Sequence, residues 1–235
     1  MNHANMQWLV WKEYRQNRLV VFVMLFLLAV PYLIGLFVLW KWGIAVQRWD
    51  IPQWKACLAL ASAYSIGISQ LAVALIGGNA IAGERLDRSA EFQAYMPLPR
   101  RKILSAKLLL VMAMVAVIWL PNAAILWGTS DALMSKHRPE DYTFASEAFG
   151  NIAIVGLTFF CVGWLFSSMI RSPSIAVCAG LIAPLMVYLG IAYIAYLREI
   201  KLDPLLEFWF PRICLTLSPI CFVIGTWLYL RRVEP

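Results

Sequence analysis

The chain alternates between long uncharged apolar runs and short charged segments. Six of these runs are 18 to 28 residues long. Because an α-helix rises about 1.5 Å per residue, roughly 20 residues cross the hydrocarbon core of a bilayer. We therefore predict an all-α integral membrane protein with six transmembrane helices in one transmembrane domain, residues 1–235. The predicted spans are residues 19–40, 56–83, 108–130, 148–170, 174–197 and 213–230.

Composition agrees with this prediction. Hydrophobic residues make up 62% of the chain and charged residues 14%, whereas soluble domains have about 45–50% and about 25%. Membrane lipid must therefore be the solvent for much of the surface. The net charge of +7 does not indicate a nucleic-acid partner, because the basic residues cluster at the ends of the apolar runs.

The first 18 residues predict an amphipathic helix. Met6, Val10 and Tyr14 fall on one stripe, and the two tryptophans of the segment suit the headgroup boundary of a membrane. Two interpretations remain open here. The segment is either a helix lying in the membrane interface or a cytoplasmic extension of the first span.

The basic residues predict the orientation. With both termini inside, the inner segments hold 12 of the 20 lysines and arginines, as the positive-inside rule requires. We expect a bacterial plasma membrane protein with cytoplasmic termini. Residues 131–147 are then an extracellular link, and residues 198–212 are an extracellular or re-entrant link that contains the apolar stretch LLEFWFP.

Motifs for chemistry are absent from the sequence. It contains no GxxxxGK[ST], HExxH, GxSxG or CxxC pattern. The five cysteines lie in or near apolar runs, and we interpret them as small apolar residues. We expect no catalytic, cofactor or metal site. The predicted spans also hold almost no ionisable groups, which argues against an ion-driven carrier and for an energy source elsewhere.

Polar residues recur on the second predicted span. The predicted helix places Ser62, Ser65, Ser69 and Gln70 on one shared face. They are candidates for lining a substrate pathway, and helix–helix hydrogen bonding is the alternative. Asn79, within the glycine-rich stretch IGGNAIAG, is a further pathway candidate. Simple helix packing is the interpretation that we favour for that stretch.

The segment 84–107 is the most charged part of the chain, with nine charged residues between two predicted spans. Such a segment lies at a membrane surface, where it can meet a soluble partner. Its ordered motif consists of Glu84, Arg85, Asp87, Ser89 and Glu91, followed by Pro97, Arg100, Ile103 and Lys107.

This motif resembles the intracellular segment after the second span of ABC-2-type permeases, the membrane subunits of ATP-binding-cassette exporters. The six-span plan and the N-terminal amphipathic helix are similar as well. The sequence departs from the usual pattern at Arg88, where a glycine is common, and at Pro99, where a serine is common.

The resemblance implies a permease subunit that pairs with a second permease subunit and with separate ABC ATPase subunits. ATP and Mg²⁺ would bind the ATPases. A coupling helix within residues 84–107 would dock on them, with Glu84, Arg85, Asp87, Arg88 and Glu91 as coupling candidates. The cargo would be an amphiphile such as a peptide, drug or lipid. The alternatives are a non-transporting membrane scaffold and an intramembrane lipid-modifying enzyme.

Overall fold

The computed structural model describes residues 3–45, 51–86, 99–134 and 140–231. These residues form six helices and no strand: α1 (His3–Ala45), α2 (Ile51–Leu86), α3 (Arg100–Met134), α4 (Glu140–Met169), α5 (Pro173–Arg198) and α6 (Leu202–Arg231). Each helix is long and apolar enough to cross a membrane. The prediction of an all-α protein with six spans is confirmed.

Several helices are longer than the predicted spans. The 36 residues of α2 and the 35 of α3 would each measure about 50 Å, well beyond a hydrocarbon core of about 30 Å. Both ends of the charged segment 84–107 therefore belong to these helices. Glu84 and Arg85 lie in the last turn of α2, and Arg100 begins α3. The intervening part that would hold a coupling helix, residues 87–98, lies outside the described residues.

The N-terminal segment is continuous with the first span. Helix α1 runs without interruption through 43 residues, because no glycine or proline breaks the segment before residue 19. A separate interface helix is therefore not observed, and the segment extends the first span. Its buried face matches the predicted stripe only in part, because Met6 and Val10 pack against a buried cluster that includes Leu9. Leu9 and Glu13 are buried, whereas Tyr14 is exposed.

The last helix begins earlier than expected. The predicted link 198–212 contains the start of α6, which continues from Leu202 through Pro211 to Arg231. Proline is tolerated in a first helical turn, where the N–H groups have no intrahelical acceptor, and Pro204 lies there. The apolar stretch is thus part of α6 and not a separate re-entrant piece. Helix α5 ends before it at Glu199, which has a left-handed φ of 53°.

By internal contacts the chain divides into two compact units, which we describe separately. The first unit comprises Met1–Asn17, Val73–Val111 and Ala153–Pro235. Its helices approach closely at glycines. A Cβ atom added to Gly77 would lie 2.6 Å from the carbonyl oxygen of Phe160. Beside this contact, the buried Trp164 packs with Phe160 and Phe222.

The second unit comprises Arg18–Ala72 and Met112–Ile152. Polar side chains link its helices beside two prolines. The Tyr32 hydroxyl, next to Pro31 in α1, donates to Asn122 Oδ1, next to Pro121 in α3. The Asn122 amide also donates to the carbonyl oxygen of Ile118, at 2.6 Å. The first bond joins α1 to α3, and the second holds the Asn122 side chain against its own helix.

Candidate functional site

Four charged side chains meet in the first unit. The ammonium group of Lys107 lies 3.0 Å from Glu13 Oε2 and 2.9 Å from Glu84 Oε1. It also donates to the carbonyl oxygen of Ala80, at 2.8 Å. Lys12 approaches Glu84 Oε1 at 3.6 Å and Glu13 Oε1 at 3.8 Å. We call Lys12, Glu13, Glu84 and Lys107 the ion-pair network; it connects α1, α2 and α3.

The network is buried and electrically balanced. Glu13, Lys107 and Glu84 are only 1%, 3% and 6% exposed. Two carboxylates and two ammonium groups give no net charge, which is the condition under which buried charges are tolerated. An ammonium group has three donors, and Lys107 directs them at three acceptors. Loss of Lys107 would therefore remove the nearest cation from both buried carboxylates.

A small apolar cluster positions the network. Leu9 in α1 packs with Ile103 and Ala106 in α3, and the three are buried together. Residues four apart lie on the same face of a helix. Leu9 therefore places Glu13, and Ile103 places Lys107, on the facing surfaces of α1 and α3. The cluster excludes water from this side of the ion pairs.

Helix α4 holds the same end of α2 from another direction. The Ser167 hydroxyl oxygen accepts hydrogen bonds from the N–H groups of Ile81 and Ala82, at 2.9 and 2.8 Å. The Arg85 guanidinium donates to the carbonyl oxygen of Ser168, at 3.1 Å. The last turns of α2 are therefore fixed to α3 by Lys107 and to α4 by Ser167.

The start of α3 is fixed as well. The Arg100 guanidinium donates to the carbonyl oxygen of Tyr229 in α6, at 3.3 Å. The two helix ends that flank residues 87–98 are thus joined directly, by Glu84 and Lys107, and each is bonded to a further helix. Packed elements of this kind move as rigid bodies. The end of α2 and the start of α3 therefore form one packed unit.

The structure describes two of the five coupling candidates. Glu84 is a buried member of the network and does not present its carboxylate at an open surface. Arg85 is half-buried and bonded to α4. Asp87, Arg88 and Glu91 lie outside the described residues. The docking role of the five residues stays a prediction, and the geometry gives Glu84 a second role in joining α2 to α3.

The pathway candidates on α2 are all buried. Ser62, Ser65, Ser69 and Gln70 are at most 3% exposed. The Ser65 hydroxyl donates to the carbonyl oxygen of Leu28 in α1, at 2.9 Å, whereas Ser62 and Gln70 donate to carbonyls of α2 itself. Ser69 Oγ has no partner among the described residues. Ser65 therefore makes a helix–helix bond, and a pathway role for the stripe stays a prediction.

Asn79 also makes a contact between helices. Its side-chain amide donates to Asn17 Oδ1 in α1, at 3.1 Å. The neighbouring glycines pack against α4 and α5, since a Cβ atom on Gly78 would lie 2.5 Å from Val177 Cγ2. This geometry is that of helix packing, and the substrate contact predicted for Asn79 stays a prediction.

Sequence reasoning missed three parts of this site: Glu13, Ser167 and the pairing of Lys107. One signal was available for Glu13, which is the only acidic residue in the first 18 and lies four residues after Leu9. No comparable signal marks Ser167, because serine is common in membrane helices. Among the described residues no three His, Cys, Asp or Glu side chains group as metal ligands.

Residues 63–207 match the sequence model of the family described as "ABC-2 family transporter protein". This range covers more than half of the 235 residues and includes Glu84, Lys107 and Ser167. Comparisons with curated proteins and with solved structures give no significant match.

Proposed function

The chain belongs to the ABC-2 transporter family, and we propose that it is the permease subunit of an ATP-driven exporter of amphiphilic substrates. Membership of the family makes the chain the membrane component of an ABC transporter. Export, the kind of substrate and the coupling to ATP hydrolysis are our proposals.

The observation that carries the coupling proposal is the bond between the two helix ends that flank residues 87–98. Glu84 and Lys107 lie 2.9 Å apart, inside the protein, where water does not compete. A docked ATPase that shifts residues 87–98 would therefore move the last turn of α2 together with the first turns of α3. If the two helix ends were not bonded to each other, a shift of residues 87–98 could be taken up by flexing of the chain and would not reach the helices.

The energy source is proposed to be a separate protein. The sequence has no phosphate-binding loop, so ATP and Mg²⁺ would bind to ATPase subunits of the ABC type. We propose two permease subunits and two ATPase subunits. Among the six candidate spans, those of α1, α5 and α6 have the least buried windows, and their apolar surfaces are available to lipid and to the second permease subunit.

The proposed substrate class follows from the spans. Outside the ion-pair network, the buried polar groups of the described spans are serine, threonine, asparagine and glutamine side chains. A pathway between such helices suits an amphiphile better than an ion. We place the protein in a bacterial plasma membrane with both termini in the cytoplasm, in accord with the basic residues near its ends.

The test is recovery of a complex with the cognate ABC ATPase, followed by transport in proteoliposomes. Reversing Asp87, Arg88 and Glu91 together should lower recovery of the ATPase or the substrate moved per ATP, because charge reversal at a packed interface can cost several kcal/mol. Glu84 is left out, since its reversal would break the network itself. Lys102→Met, on α3 outside the network, is the control.

Full recovery with unchanged coupling would remove these residues from the interface. Transport by the purified permease without an ATPase would overturn the proposed function. A stable complex that hydrolyses ATP without any effect of candidate amphiphiles would favour a scaffold.

A further inference from the structure

One turn of α2 has its backbone bound by side chains of two other helices. The carbonyl oxygen of Ala80 accepts from Lys107 of α3, at 2.8 Å. The N–H groups of Ile81 and Ala82 donate to the Ser167 hydroxyl of α4, at 2.9 and 2.8 Å. Ser167 is fully buried, so water does not offer these groups an alternative.

Such bonds are unusual inside a helix. In a regular α-helix the N–H groups of Ile81 and Ala82 would donate only to the carbonyls of Gly77 and Gly78. A side chain that inserts into this ladder is a recognised cause of helix bending, as are glycines. The turn therefore has two sets of acceptors, one within α2 and one on α4. Two sets of partners allow two positions of the helix end.

The residues before this turn are held rigidly. Cβ atoms added to Gly77 and Gly78 would lie 2.6 Å from Phe160 O and 2.5 Å from Val177 Cγ2, so both glycines already touch neighbouring helices. The residues after it lead through Glu84 into residues 87–98. Any bending of α2 would therefore fall between the packed glycines and the end of the helix.

We propose that residues 79–83 are a hinge in α2 and that Ser167 is a positioning residue that sets its angle. We call these residues the hinge turn. The inference rests on the proposed function, because it gives the docking segment a defined joint on the permease. While Ser167 accepts both N–H groups, the end of α2 stays in one position. When Ser167 releases them, that end is free to take another.

A purely space-filling role for Ser167 makes a different prediction. Alanine and cysteine bracket the volume of serine, but alanine accepts no hydrogen bond and a thiol is a weak acceptor. Threonine keeps the hydroxyl. Ser168 is the matched control, because it is equally buried. Its hydroxyl donates to the carbonyl oxygen of Leu165 in its own helix. Its bond to Arg85 uses the backbone carbonyl, which a substitution of the side chain keeps.

The experiment is hydrogen exchange, followed by mass spectrometry, on the full-length permease in nanodiscs without ATPase. In Ser167→Ala and Ser167→Cys, the amides of the hinge turn should exchange at least about fivefold faster, because two hydrogen bonds to an external anchor are lost. Ser168→Ala and Ser167→Thr should exchange like the unmodified protein. If Ser167→Ala fails to accumulate, Ser167→Cys answers the same question with more side-chain volume.

The second measurement is the substrate moved per ATP in the complex with the ATPase. We expect it to fall severalfold in Ser167→Ala and Ser167→Cys while the amount of complex stays the same. Unchanged exchange in both variants would overturn the hinge. Faster exchange with unchanged coupling would overturn the positioning role of Ser167. Failure to find any ATPase complex would instead count against the proposed function, since the exchange experiment does not use the ATPase.

Discussion

Replacing Lys107 by methionine tests the central element of the site. Methionine has a similar length and no charge, so the change removes the ammonium group with little change in volume. Glu13 and Glu84 would lose their nearest cation, and Lys12 lies farther away, at 3.8 and 3.6 Å. The buried cluster would change from neutral to a net charge of −1, and the carbonyl oxygen of Ala80 would lose its donor.

The expected loss of stability is large. Removing one partner of a buried ion pair costs about 3–5 kcal/mol, because a buried charge is left uncompensated. For a protein of this size, each kcal/mol lowers the melting temperature by about 2–4 °C, so we expect a fall of roughly 6–20 °C. Lys102→Met, in the same helix and outside the network, should change the stability by about 0.5 kcal/mol or less.

A double variant separates charge balance from the loss of a contact. Lys107→Met with Glu84→Met leaves Lys12 and Glu13, which together carry no net charge. If charge balance governs the site, the double variant is more stable than Lys107→Met alone, although it removes one more polar group. The assay is thermal unfolding in detergent at one fixed scan rate, with binding of the ATPase measured on the same samples.

Two results would refute this reasoning. One is a melting temperature of Lys107→Met within 2 °C or so of that of Lys102→Met, which would mean that water solvates the carboxylates. The other is a double variant that loses the sum of the two single losses or more.

Two further predictions concern helix packing and orientation. Gly78→Ala should destabilise the protein by about 1–3 kcal/mol, because the added methyl group meets Val177. The control Gly190→Ala, whose added Cβ would have nothing within 4 Å, should be neutral or stabilising by up to about 1 kcal/mol. Equal melting temperatures of the two variants would contradict the close packing. In a cysteine-free background, a cysteine at position 135 should react with an impermeant maleimide in intact cells. A cysteine at position 89 should react only after lysis. The reverse pattern would contradict a cytoplasmic location of the docking segment.

The sequence by itself was sufficient for the class and the number of spans. Lipid demands helices of about 20 apolar residues with all backbone groups paired internally, and no other local pattern meets that demand. Six runs of that kind therefore predict six helices, and the described residues form them. The motif around Glu84 and Lys107 was also sufficient to indicate the family, because its residues are close together in the chain.

Helix ends were harder to predict, because hydropathy reports where lipid is and not where a helix stops. Charged and polar residues continue α1 before its apolar run, and α6 starts eleven residues before its predicted span at Ile213. The start of α1 contains no helix breaker, and α6 continues through Pro211 in spite of one.

Only the tertiary structure decided which polar groups form the site. Glu13 lies 94 residues from Lys107, and Ser167 lies 86 residues from Ile81. Such pairs leave no local pattern, because a charge in a helix end looks the same in sequence whether water or another helix faces it. The cost of burial depends on what the opposite helix supplies. For Glu13 and Glu84 it is Lys107 that makes burial possible, and only the packing of α1, α2 and α3 brings the three together.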